Sequence, residues 1–310
     1  MSKTGGPTLG AELRRAASLR KRNSVNNRLA DVARDTRQAA QTGPEVTLED
    51  FKRYFPHTPA ALCIKECARL SVMRRYACPG PVLDVGCGDG LFARMAFDDV
   101  DVWGIDIDAA EGRWAAASKA YTQVILGDVT QVTLPERFFA TCVANCSLEH
   151  VPRIDLALKN ILRSLRPGGL AYLFVPSKGW ATHLTSARVL TELGAPALGT
   201  RIESSIDHVF KHHHLYDERG WRNVVEQSGL EVVEIEPVLS TATTVAFEAF
   251  LVPSLAGLLN KRLTTRWTNF PNARKLFARP VYELIRAIMD RSDDSPTAEY
   301  LLVARRPEQG

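Results

Sequence analysis

Three glycines at alternate positions, Gly86, Gly88 and Gly90, follow an apolar run and an acid in "VLDVGCGDGLFA", Val82 to Ala93. Glycines so placed let the backbone adopt positive φ and approach a ligand closely. A nucleotide-like molecule is the usual occupant of such a turn. A dinucleotide site would space its glycines GxGxxG and rest a pyrophosphate on the following helix N-terminus. Here the spacing is GxGxG and Asp84 stands just before it, a carboxylate poorly suited to pyrophosphate and well suited to a ligand with an ammonium and a sulfonium. Acids recur at the ends of the next two apolar runs, Asp106 in "GIDID" and Asp128 in "LGDV". Asp106 is placed to accept from two ribose hydroxyls, and Asp128 from an adenine amino group. The plainer reading is that all three acids cap turns and helices after strands.

Histidines supply the second set of reactive groups. "SLEHV" carries Glu149 and His150, and "SSIDHVFKHHHLYDERGW" carries His208, His212, His213 and His214 ahead of Asp217, a helix cap, with Tyr216 and Trp221 nearby. Imidazole changes charge near neutral pH and so serves as a general base. In an extended segment, alternation turns His212 and His214 one way and His213 the other.

The elements that must hold these residues read as alternating strands and helices. Strands are expected near 81–85, 101–106, 123–126, 138–145, 170–176, 230–238 and 299–304, and helices near 90–97, 110–119, 153–166 and 218–228. That alternation predicts βαβ units and a parallel sheet covered on both faces. In "DLALKNILRSLRPGGL" the residues Leu158, Ile161, Leu162 and Leu165 form one apolar helical stripe, and "RPGG" stops the helix. Ahead of the sheet, residues 1–45 form a basic flexible or helical arm, and 46–78 hold helices, one capped by Thr47 and another over 59–76. Ligands of such a sheet sit beyond the strand carboxyl ends, where strand order reverses.

Together these motifs resemble the class I S-adenosylmethionine-dependent methyltransferase family. "LDVGCGDG" is similar to its first motif, "GIDID" to its ribose-binding strand end, "LGDV" to its adenine motif, and "CSLEHV…ILRSLRPGGLAYLFVPS" to the fourth and fifth strands of the methyltransferase-11-like branch. The resemblance covers roughly 80–238 and the final strand "AEYLLVAR". It implies an α/β, Rossmann-like methyltransferase fold over 79–310, with a seven-stranded, mostly parallel sheet and an antiparallel last strand. It also implies S-adenosyl-L-methionine as cofactor and S-adenosyl-L-homocysteine as product. The cofactor contacts it implies are Asp84, Gly86, Cys87, Gly88, Gly90, Asp106, Ile107, Asp128, Val129 and Asn145. Cys87 is a small filler rather than a nucleophile. Methyl transfer from a sulfonium is an in-line displacement that chiefly needs alignment and exclusion of water. For a hydroxyl acceptor, His150, His212 and His213 are the candidate bases. Some methyltransferases of ubiquinone synthesis and of small-RNA 2′-O-methylation resemble this chain in an ExxEH motif and a later His that together bind a divalent ion. Cys146 stands here at the first position, which weakens a hard-ion site, and no metal is expected.

The acceptor is read from the rest of the chain. Residues 241–288 carry seven Lys and Arg against two Asp and Glu, with Trp267, Phe270 and Phe277 interleaved, within an apolar insertion at 239–297 that predicts two or three helices. Such helices serve as an active-site lid, a homodimer interface or a membrane-contact element. Residues 1–43 carry nine Lys and Arg against three Asp and Glu, yet "NCSL" replaces an NPPY-like motif and no RNA-binding module follows. Nucleic acid is therefore the rival acceptor to a hydrophobic small molecule, secondary metabolite or lipid-linked glycan, with O the favoured nucleophile over N or C. A non-catalytic cofactor-binding regulator is the third reading. Six cysteines without a CxxC pair, no apolar leader and no uninterrupted apolar run of about 20 residues point to a cytoplasmic chain, at most peripheral to a membrane.

Overall fold

A computed structural model describes residues 46–178, 212–291 and 296–308. The basic arm and His208 lie outside the described residues. The elements in chain order are α1 (Leu48–Tyr54), α2 (Ala60–Met73), β1 (Val82–Val85), α3 (Leu91–Ala96), β2 (Val102–Asp106), α4 (Ala109–Ser118), β3 (Gln123–Leu126), β4 (Phe139–Asn145), a 3-10 turn at Leu148–His150 and α5 (Ile154–Ser164). Then follow β5 (Leu165–Pro176), α6 (Glu218–Gln227), β6 (Glu231–Ser240), α7 (Thr241–Ala249), α8 (Leu251–Thr264), α9 (Pro271–Met289) and β7 (Pro296–Arg305).

The seven strands form one sheet in the order β3-β2-β1-β4-β5-β7-β6. The pairings among β1 to β5 are all parallel, while β7 runs antiparallel to both β5 and β6. The order reverses between β1 and β4, which places the switch point at the end of "VLDV". Register puts Asp84 beside Gly104 and beside Val143, so the loops after β1, β2 and β4 open at one edge.

Alternation along the strands separates two cores. Val82, Val102, Val143, Tyr172, Phe174, Leu301 and Val303 face one side, where α1, α2, α7 and α9 bury Phe51, Ile64, Leu70, Phe247 and Ile285 against them. Leu83, Val85, Ile105, Ala144, Leu173 and Leu302 face the other, under Ile154, Leu158 and Ile161 of α5 and Trp221 and Val225 of α6. The N-terminal helices and the late insertion thus share one layer.

Local signals behave as their chemistry predicts. Thr47 accepts from Asp50 N at 3.1 Å and Asp217 accepts from Gly220 N at 2.7 Å, each capping its helix. The insertion resolves into three helices, α7 to α9. The largest boundary difference is at β5, which begins at Leu165, not near 170, because Leu165 already pairs with Phe139 and the Pro-Gly-Gly stretch is absorbed as a register shift before Leu170 pairs with Thr141. Leu165 is therefore the first strand residue rather than the last of the helical stripe.

Candidate active site

The three glycines of the turn all have positive φ but for different reasons. A Cβ on Gly86 would stand 2.3 Å from Ser147 Cβ, so this glycine lets the β1 and β4 loops touch, and Ser147 Oγ closes the contact by donating to Val85 O at 2.5 Å. A Cβ on Gly90 would meet Ser118 Oγ and Tyr121 at under 3 Å, so this glycine seats α3 against α4. At Gly88, with φ of 53°, a Cβ would meet nothing within 4 Å. That is the arrangement of a cradle whose contact comes from a ligand.

Two cavities flank Gly88. One, of about 440 Å³, is lined by Asp106, Ile107, Gly127, Asp128, Val129 and Pro152. The other, of about 400 Å³, is lined by Tyr54, Glu66, Asp84, Asn145, Glu149 and His212 among others. Both include Gly86, Gly88, Asp89, Cys146, His150, Lys261 and Trp267, so they meet over the turn. Lys261 of α8 pairs with Glu111 of α4 and lies 4.2 Å from the Trp267 ring centroid, which carries the insertion across the mouth.

Asp106 accepts from Gly88 N and Asp108 N, both at 2.8 Å, one on each carboxylate oxygen. A carboxylate offers about four acceptor sites, so two hydroxyls still find room. Ile107 is 76% exposed beside it, an apolar side chain left uncovered within the cavity. Asp128 accepts from Thr130 N and Thr130 Oγ1, which hold its carboxyl below the usual carboxylate range. Asp84 is buried, and burial pushes its carboxyl up to about 7, while the hydrogen bond from Tyr121 Oη at 2.7 Å works in the opposite direction. Burial likewise pushes the Cys87 thiol up, and its sulfur fills the space above Gly104, as befits a filler.

The second cavity has unmet polar atoms. Tyr54 Oη, Asn145 Oδ1 and Glu149 Oε2 are buried with no hydrogen-bond partner among the described residues. Buried acceptors and donors left this way normally mark a ligand or ordered water. Asn145 Nδ2 donates to Glu66 Oε2 at 2.8 Å, which fixes its amide so that Oδ1 is the atom left over. An oxygen so placed suits an ammonium group.

Cys146 has a φ of 48°, an uncommon value for a residue with a side chain, and there the chain turns sharply off β4. The turn brings Glu149 into the interior, where burial pushes its carboxyl up to about 8. Glu149 O accepts from His213 N at 2.8 Å and His214 N at 3.2 Å, tying the histidine segment to the loop. His150 and His212 stack with ring centroids 5.3 Å apart and both line the cavity. His213 has its side chain exposed, and the His214 ring is held between Tyr216 Oη and Val151 O, each at 3.0 Å. Alternation thus separated His213 from His212, and His214 became a strut. Ligand atoms of Glu149, His150 and His212 lie within 4.8 Å of one another.

Among lining residues beyond those expected, Tyr54 on α1, Lys65, Glu66 and Arg69 on α2 and Glu299 on β7 have nothing in their sequence neighbourhoods that points to the site. Trp267, an aromatic among basic residues in an apolar segment, left a signal.

The sequence pattern of the methyltransferase domain family matches residues 54–235, from α1 into β6. The chain belongs to the class I S-adenosylmethionine-dependent methyltransferases. An uncharacterised methyltransferase of Mycobacterium tuberculosis is 36% identical over 112 residues, covering 34% of this chain and 57% of the relative. The ubiquinone/menaquinone biosynthesis C-methyltransferase of Burkholderia mallei is 26% identical over 167 residues, covering 50% and 69%. The chain therefore spans little more than half the length of the mycobacterial relative. Among solved structures the 4+2 cyclase SpnF aligns at TM-score 0.50 with 18% identity over 78% of this chain and 81% of that one. The Haemonchus contortus phosphoethanolamine N-methyltransferase 2, solved with S-adenosyl-L-methionine, aligns at 0.47 with 16% identity over 78% and 52%. The likeness to SpnF shows the methyltransferase fold alone, since one fold hosts several chemistries.

Proposed function

We propose that this methyltransferase binds S-adenosyl-L-methionine across Gly88 and transfers its methyl to an oxygen nucleophile held in the second cavity. The acceptor class is a hydrophobic small molecule, secondary metabolite or lipid-linked glycan. The observation that carries the reading is the open cradle at Gly88 between a cavity of strand-end acids and a cavity of unmet polar atoms. Asp106 takes the ribose hydroxyls, Ile107 and Val129 pack the adenine, Asp128 accepts from its amino group, and Asp84 and Asn145 Oδ1 meet the cationic amino-acid end. When bound, the cofactor supplies an electrophilic methyl; the chain's own part is to align the nucleophile, exclude water and take a proton. Trp267 and Lys261 cover the mouth, and the stacked pair His150 and His212 supplies the base, with His213 outside the cavity. The C-methyltransferase of quinone biosynthesis among the relatives favours an apolar acceptor and extends the nucleophile class to carbon. A lipid-linked acceptor would be met at a membrane surface, by a chain in which no described single helix is long and apolar enough to cross one.

Calorimetry tests the central claim. Asp84 has a folded pKa raised from about 3.9 to about 7. The folded state therefore holds the extra proton, and stability falls as pH rises from the unfolded value to the folded one. A cation beside Asp84 favours the ionised form, so binding at pH 6 to 7 is expected to release a proton, read as a buffer-dependent heat. No heat with either S-adenosyl-L-methionine or S-adenosyl-L-homocysteine, together with no thermal shift, would sink the reading. For the chemical step, His212→Ala is expected to lower kcat by about 10²-fold with cofactor affinity unchanged, in a protein that carries no stoichiometric divalent ion. A parallel loss of affinity, or an ion found by metal analysis, would replace the base with a positioning or metal role.

A further inference from the structure

Large apolar side chains left in solvent gather on the insertion. On α8, Val252, Leu255, Leu259 and Leu263 are all exposed, Leu263 by 76%, at spacings of three and four that place them on one helical face. On α9, Leu276, Phe277 and Leu284 are exposed, Leu276 by 78%, at spacings of one and seven that share one side, while Ala278, Ile285 and Met289 are buried on the other. Phe270 stands exposed on the connecting loop. Two amphipathic helices thus turn an apolar stripe outward, more than scattered surface residues would account for.

The charge around these stripes selects the occupant. Residues 251–291 carry eight Lys and Arg against two Asp and Glu; Lys261 is held by Glu111 and Arg274 by the carbonyls of Phe55 and Thr58, while Arg262, Lys275, Arg279 and Arg291 are exposed. A second copy of the chain docked on this face would set like charges against each other, whereas an anionic bilayer complements both the charge and the apolar stripe. We infer that α8, α9 and their connecting loop form a docking surface for anionic membranes, with Leu259, Leu263, Phe270, Leu276 and Phe277 entering the interface. The contact is peripheral. Helices α7 and α8 together are apolar enough to cross a bilayer, but they are bent by 62° and α7 is committed to the core through Ala242, Ala246 and Phe247. The same α8 and loop place Lys261 and Trp267 over the catalytic cleft, so a membrane-borne acceptor would reach the protein beside its active site.

Vesicle flotation of the full chain, with neither cofactor nor acceptor, tests this independently of the methyl-transfer reading. Vesicles of phosphatidylcholine with phosphatidylglycerol are expected to carry the protein at low salt, at least about tenfold more than phosphatidylcholine alone, and to release it at high salt. Two variant pairs, Leu259→Glu with Leu263→Glu and Leu276→Glu with Phe277→Glu, are each expected to cut binding by about tenfold with an unchanged unfolding midpoint. Absence from the vesicle fraction at low salt would overturn the inference. So would binding that survives both pairs, which would assign it to the basic segment 1–45, or a wild-type dimer that both pairs dissolve, which would assign the face to a second copy.

Discussion

Asp106→Ala is expected to weaken S-adenosyl-L-methionine binding by about 1.5–3 kcal/mol, or roughly 10- to 150-fold in Kd. The carboxylate does two jobs at once. Its inner oxygen holds Gly88 N, so it fixes the cradle, and its remaining acceptor sites face the cavity where the ribose is proposed to lie. Removing it loosens the turn and deletes both hydroxyl acceptors. Asp108 provides the control, because its carboxylate accepts from Ala110 N and Glu111 N and so caps α4. Asp108→Ala should cost about 1 kcal/mol of stability with affinity nearly intact. Equal affinities for the wild type and the Asp106 variant would place the ribose elsewhere.

Arg69→Ala is expected to destabilise the fold by about 3–5 kcal/mol in urea unfolding. Arg69 is buried and binds both oxygens of Glu299 at 2.9 Å, and it also meets Glu66 at 2.8 Å. Lys65 pairs with the same Glu299. Burial alone would push the Glu299 carboxyl up, yet Arg69 and Lys65 outweigh it and hold the group near 2. Its folded pKa is therefore depressed, and its contribution to stability is present above the unfolded value, about 4.3, and lost as pH falls toward 2. Deleting Arg69 leaves a buried carboxylate with one cation in place of two, and the cost should shrink on acidification as Glu299 takes up a proton. A loss below about 1 kcal/mol would mean that the site relaxes or hydrates and that the network is incidental to the fold.

The contrast between these two sites shows what a sequence carries. That Asp84, Asp106, Asp128 and the three glycines come together is legible because each lies within a few residues of its own strand end, and topology brings the strand ends together. The alternation that separated His212 from His213 is likewise a local rule. Arg69 and Glu299 are 230 positions apart, and nothing in either neighbourhood announces the other. Asn145 was placed at the β4 end, but that its Oδ1 is the orphaned atom follows from Glu66 on a distant helix. The left-handed turn at Cys146, which carries the chain off β4 toward Glu149 and His150, is a conformation that cysteine does not advertise.

The pairing of Ser240 with Pro296 sets the two ends of the insertion side by side on adjoining strands. Because the sheet itself closes this loop, lengthening or shortening it alters the closure entropy only slowly, by about 0.6 kcal/mol per doubling. Of the helices between those two residues only α8 has no buried residue, so it is the part of the insertion that the core constrains least. A change of cover confined to α8 would alter what reaches the proposed acceptor cavity while α7 and α9 keep Phe247 and Ile285 against the sheet.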